Sequence, residues 1–224
     1  QSWVVATCFA MAVWAWGTVF YGYSFYVDSL TEAGRFTVTQ LSIGIALSFW
    51  AGVPAGIMVG RWMSRHPPSL AVAYGVVSIA AALLILPRTD NIWIAYCAFV
   101  LFGTGYPCLS TSGITGALNY YVHTRYASRL SIALTGASVG GAIMIPLMVA
   151  LRTQFGFADA MSIVASVMVV VLLPPILTLL RREGGARVDT AGSSPSTDTK
   201  SILASREFLL IALGTGAALG AQVG

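Results

Sequence analysis

Apolar residues run along this chain in long stretches without charge. Six stand out, covering roughly residues 3–27, 38–63, 70–87, 92–122, 130–151 and 160–180, and apart from Arg61 near the end of the second none contains Asp, Glu, Lys or Arg. A helix that crosses a bilayer needs about 20 such residues, because each adds about 1.5 Å to a path of about 30 Å. Backbone polar groups in lipid must bond within their own segment, so stretches this long and apolar predict helices and not barrel strands. They are also too long and too many for a signal peptide. A seventh stretch begins near Phe208 and stops at Gly224 inside its apolar run. The chain opens on Gln1, not Met, so its 224 residues read as a fragment.

Composition agrees with this pattern. Hydrophobic residues make up 57% of the chain and charged residues 9%, with a mean hydropathy of +0.80. A soluble domain carries about 25% charged residues. The balance excludes a soluble enzyme and a disordered chain. The expected fold is all-α and integral to the membrane, a six-helix bundle followed by a truncated seventh helix.

Charge gives the bundle a direction. With six crossings, one side collects Arg61, Arg65, Arg125, Arg129, Arg181, Arg182, Arg187, Lys200 and Arg206, and the other only Arg35, Arg88 and Arg152. Positive residues gather on the cytoplasmic side. The N-terminus is then expected in the cytoplasm, in a plasma-membrane protein. The net charge of +4 follows from this topology, and no nucleic-acid partner is implied. Tyr26 and Trp93 fall at the expected outer edge, and Trp62, Tyr120 and Tyr121 at the inner edge, where amphipathic rings favour the interface. Cys8, Cys97 and Cys108 lie within spans and read as small buried hydrophobes. His66 and His123 read as solvated loop residues.

One stretch breaks the apolar pattern. Residues 184–201 are rich in Gly, Ser, Thr, Pro and Asp, the composition of a flexible linker. Three regions follow: a six-helix bundle at 1–182, a cytoplasmic linker at 183–206, and the start of a seventh helix at 207–224. A faint internal echo, AGVPAGIMV at 51–59 and ASVGGAIMI at 137–145, places the second and fifth spans as counterparts in two three-helix repeats.

Small residues recur every fourth position at Gly52, Gly56 and Gly60, at Gly136 and Gly140, and at Gly216, Gly220 and Gly224. Such strips let helices approach closely, either as a sliding interface or as permanent packing. Prolines within spans (Pro54, Pro107, Pro146, Pro174 and Pro175) fit the bent helices of a moving transporter or static kinks equally well. The sequence Gly136-Ala137-Ser138-Val139-Gly140 matches the serine-hydrolase elbow pattern. It falls inside a spanning helix with no histidine base in the membrane, so it carries no catalysis. No P-loop, C-x-x-C or H-E-x-x-H pattern occurs, and neither an enzyme, a metal site nor a cofactor is expected.

Apart from Arg61 near the end of the second, polar residues within spans are uncharged. Thr18, Tyr21 and Ser24 share one face of the first span. In the fourth, Tyr106 and Ser110 share one face and Ser112, Thr115 and Asn119 a nearly opposite one. They are candidates for a solute cavity, or for hydroxyls bonded to their own helix. No ionisable residue lies deep in these spans, so a charge that handles an anion or a coupled proton is expected elsewhere in the protein.

Three stretches resemble a known family. Gly56-Ile57-Met58-Val59-Gly60-Arg61-Trp62-Met63-Ser64-Arg65 is similar to the G-x-x-x-D-R-x-G-R-R signature of the major facilitator superfamily, with Gly60 and Met63 in place of the acid and the second glycine. Residues 25–42, through Asp28, Glu32, Gly34 and Ser42, resemble the first outer loop of its monocarboxylate and oxalate/formate transporter branch. Tyr120-Tyr121, the basic loop with Arg125 and Arg129, and then Ile132, Ala133, Gly136, Ser138, Gly140, Gly141 and Pro146 are similar to that branch's loop and fifth-span motif. The fourth span lacks the Arg carried by many proton-coupled relatives, which agrees with this branch.

The resemblance implies the N-terminal half of a twelve-helix secondary transporter working by alternating access. It implies gating roles for Gly56, Arg61, Arg65, Arg125 and Arg129, and packing roles for Gly52, Gly60, Gly136, Gly140, Gly141 and Pro146. The expected substrate is a small organic anion such as a monocarboxylate, with a coupled proton or counter-anion. The lipid bilayer and a missing C-terminal half are the other expected partners. A drug or neutral-metabolite carrier is the alternative within transport, and a seven-helix receptor or sensor the alternative outside it.

Overall fold

The computed structural model describes residues 2–63, 65–122 and 125–179, all helical or in short connections. The linker, the seventh stretch and His123 lie outside the described residues. Eight α-helices run in order: α1 (Ser2–Trp14), α2 (Gly22–Glu32), α3 (Val38–Met63), α4 (Pro68–Ile85), α5 (Ile92–Leu109), α6 (Thr111–Tyr121), α7 (Tyr126–Phe155) and α8 (Phe157–Leu179). A π-helical segment, Ala15–Phe20, joins α1 to α2, and Ser110 alone separates α5 from α6.

These elements make six candidate spans: Ser2–Glu32, Val38–Met63, Pro68–Arg88, Ile92–Tyr121, Tyr126–Phe155 and Phe157–Thr178. All six expected crossings are present, and several helices outrun the apolar stretches that predict them. The first continues through Asp28 to Glu32, and the fifth takes in Arg129 and Arg152. Long charged side chains at a helix end reach the polar interface while the backbone stays helical.

The packing is crossed. The first span lies on the fifth through α1 and α7, and the second on the fourth through α3 and α5. The third packs on both the fourth and the sixth. The two interrupted helices are the first and the fourth. Pro54, Pro107, Pro146, Pro174 and Pro175 all stay inside helices.

Glycine explains the close crossing of the first and fifth spans. A Cβ on Gly136 would stand 2.5 Å from the Phe9 carbonyl oxygen, and one on Gly17 would stand 2.9 Å from that of Gly140. The strip on the fifth span therefore packs backbone to backbone against the first span. Gly141 lies under the Tyr21 ring.

Two expectations change here. Tyr26 is 1% exposed and is no interface anchor: its ring stacks on Phe102 at 5.4 Å, and its hydroxyl donates to the Thr18 carbonyl at 2.5 Å. Cys97 is exposed, while Cys8 and Cys108 are buried. Trp93 and Trp62 are exposed near span ends as expected, and Trp62 stacks on His66 at 4.5 Å.

Candidate functional site

A groove of about 460 Å³ opens between the first, second and fourth spans. It draws on Val19, Phe20 and Tyr23, on Ser48 to Ile57, and on Gly103 to Ser112, the middle portions of all three spans. The groove thus sits near the middle of these three candidate spans.

Small residues create the space. A Cβ on Gly52 would stand 3.3 Å from the Gly103 carbonyl oxygen, one on Gly56 would stand 3.8 Å from Pro107 Cβ, and one on Gly60 would meet nothing within 4 Å. The second and fourth spans touch at Gly52 and separate toward Gly60. Beyond the groove the Met63 side chain crosses the gap to Gly116.

The walls are largely aromatic and aliphatic. Tyr23 packs edge-on against Phe49 at 5.9 Å, and Trp16 edge-on against Tyr106 at 5.6 Å. The Tyr23 and Ser48 hydroxyls share a 2.6 Å hydrogen bond, and Ser48 also donates to the Ile45 carbonyl at 2.9 Å. Among the described residues no charged side chain lines the groove.

Three of the eight expected cavity residues, Tyr106, Ser110 and Ser112, line it. Thr18 is buried and donates to the Trp14 carbonyl, and Ser24 donates to Tyr21. Tyr21 covers Gly141 instead. Thr115 donates to the Thr111 and Ser112 carbonyls, and Asn119 is exposed away from the groove.

The π segment explains the first span. Its i→i−5 bond, Tyr21 N–H to Trp16 carbonyl at 2.8 Å, inserts one residue into the turn and rotates every later side chain. The face read with an unbroken 3.6-residue period is therefore displaced, and Val19, Phe20 and Tyr23 take the groove. Ser110 does the converse in the fourth span. Its extended ψ of −159° breaks the helix and brings Ser112 to the same wall as Tyr106. The Tyr23–Ser48 pair was not expected, although Gly52, Gly56, Gly103 and Pro107 on facing helices already signal thin walls.

At one end of the spans, Arg61 lies in the last turn of α3 and the Arg65 N–H donates to the Trp62 carbonyl at 3.0 Å. Arg125 precedes α7 in the left-handed region at φ 52°, and Arg129 lies in the first turn of α7. At the opposite side, Arg35 pairs with Asp90 at 3.3 Å and donates to the Pro87 carbonyl at 2.6 Å. Arg152 pairs with Glu32, and Arg88 with Asp159 at 4.0 Å. The last two pairs tie the ends of the first and fifth spans and of the third and sixth. No cluster of metal-binding side chains occurs among the described residues.

Comparison with known proteins gives the geometry its context. Residues 3–223 match the family model described as Major Facilitator Superfamily. The chain is 26% identical over 175 residues to an uncharacterized MFS-type transporter, YcxA, of Bacillus subtilis, a match over 76% of this chain and 43% of the relative. It is 24% identical over 152 residues to the riboflavin transporter RibJ of Trypanosoma brucei brucei, covering 66% of this chain and 27% of that one. The chain thus spans less than half the length of these relatives.

Proposed function

As the chain belongs to the Major Facilitator Superfamily, a family of membrane transporters, we propose that it is the N-terminal half of a secondary active transporter working by alternating access. The observation that carries this reading is the mid-span groove, two of whose three walls are interrupted helices. A solute held there between two halves is released to either side as one half rocks against the other. A second half completes the groove, and a proton or counter-anion drives the cycle. The protein sits in the plasma membrane with its N-terminus and linker in the cytoplasm, as the distribution of Lys and Arg supports. The loops with Gly56, Arg61, Arg65, Arg125 and Arg129 form the cytoplasmic gate.

The substrate is a small organic anion such as a monocarboxylate, with its apolar body against Phe20, Phe49 and Pro107. The charge-free lining and the riboflavin transporter among the relatives favour a second reading, a neutral metabolite or drug. Uptake of labelled monocarboxylates and of riboflavin into proteoliposomes holding the full-length protein separates the two. Uptake of carboxylates above empty vesicles supports the anion. Riboflavin uptake without carboxylate uptake overturns it in favour of the neutral solute.

A further inference from the structure

The fourth span holds an unused feature of the groove wall. Ser110 stands at the N-cap of α6, a position serine favours because its Oγ accepts a hydrogen bond from the second or third N–H of the helix. Ser110 makes no such bond. Its own N–H donates to the Tyr106 carbonyl and its carbonyl accepts from Ile114, so the break leaves the first-turn amides of Thr111, Ser112 and Gly113 without a cap. The neighbouring helix shows the usual arrangement: Asn91 caps α5, its Oδ1 accepting from the Trp93 N–H at 2.9 Å.

Two further observations point outward from the chain. Ser110 is 6% exposed, lines the groove, and its hydroxyl takes no hydrogen bond among the described residues. Ser112 lines the same wall from the second position of α6, also without a hydroxyl partner there. Gly113 permits the fold-back, since a Cβ there would fall on the Cys108 carbonyl. A buried serine that declines to cap its own helix, at a helix start that faces a cavity, leaves donors and a positive dipole end for an outside acceptor.

We propose that the start of α6, with the Ser110 and Ser112 hydroxyls, seats the carboxylate of the transported solute. This rests on the transport reading and deepens it, because it supplies an anion seat in a groove with no cationic side chain among the described residues. The solute's apolar body then lies against Phe20, Phe49 and Pro107, which line the same groove.

Benzoate and benzamide test the seat, sharing a ring and differing in charge. Binding of each to the full-length protein in proteoliposomes is read by quenching of tryptophan fluorescence, since Trp16 lies against Tyr106. Benzoate is expected to bind about tenfold tighter than benzamide, the scale of one hydrogen bond to a charged group. Ser110→Ala is expected to weaken benzoate about tenfold and leave benzamide unchanged. Ser110→Asp caps α6 with its own carboxylate and is expected to abolish benzoate binding alone, in a helix no less stable. Equal binding of the two probes, or benzoate binding untouched in both variants, overturns the seat. Uptake by the same vesicles separates the two readings. Solute movement without a benzoate preference removes the seat and keeps the transporter. Absence of any solute movement removes the transporter, while the binding comparison still decides the seat.

Discussion

The hydroxyl of Tyr23 on α2 and that of Ser48 on α3 meet at 2.6 Å and join the first and second spans at the groove. The two ends of this bond are not equivalent. Ser48 has a second partner in the Ile45 carbonyl, whereas Tyr23 has no other hydrogen bond among the described residues. Tyr23→Phe is expected to lower stability by about 0.6 kcal/mol, the average for a hydrogen bond between membrane helices. Ser48→Ala strands the Tyr23 hydroxyl and should cost more, about 1–3 kcal/mol. Chemical unfolding of the full-length protein in detergent, run as a double-mutant cycle, measures both. Equal losses would show that Tyr23 finds another partner.

The π segment depends on Tyr26. Its hydroxyl takes the Thr18 carbonyl at 2.5 Å from eight residues away, while its ring is held on Phe102 with planes 8° apart. Tyr26→Phe keeps the stack and loses the bond. A loss of about 1–2 kcal/mol is expected, together with reduced transport, because the face of α2 is set by the π turn. Unchanged transport with the stability loss present would separate the turn from the groove.

The glycine strips should respond in opposite ways. Gly140→Ala places a methyl against the Val13 backbone and forces the first and fifth spans apart, an overpacking cost of about 1–3 kcal/mol. At Gly60, in the last turn of α3, a Cβ meets nothing within 4 Å, so Gly60→Ala should be neutral or stabilising by at most about 0.5–1 kcal/mol. Thermal unfolding of the two variants side by side checks the contrast.

The ion pairs at the span ends are exposed and should be weak. Arg152→Ala, which removes the pair with Glu32, is expected to cost less than about 1 kcal/mol, and the loss should shrink in 1 M salt, where screening acts within about 3 Å. Arg35→Ala is expected to cost more, because Arg35 also satisfies the Pro87 carbonyl. Unfolding at low and high salt distinguishes the two sites.

How much of this was legible in the residues follows from what each part requires. Six crossings need only that apolar residues persist for about 20 positions, a local property, and all six stand where the stretches lie. Tyr106, Ser110 and Ser112 were legible as polar residues in an apolar span. Thr18, Tyr21 and Ser24 were legible as a stripe, but the stripe assumed one helical phase from end to end. A single inserted residue between Ala15 and Phe20 turns it away from the groove. The Ser48 hydroxyl was not legible, since its partner lies 25 residues back along the chain.

The sequence by itself determined that this chain is a multi-pass membrane protein of helices, because exposing so much apolar surface to water would cost more than any soluble fold returns. It determined one close crossing too, since glycine lets the backbones of the first and fifth spans meet. The tertiary structure alone decided which faces line the groove and which hydroxyls stay unpaired. Those depend on helix phase and on partners from distant spans, as where Tyr26, bonded to the Thr18 carbonyl in the π segment, stacks its ring on Phe102 of the fourth span.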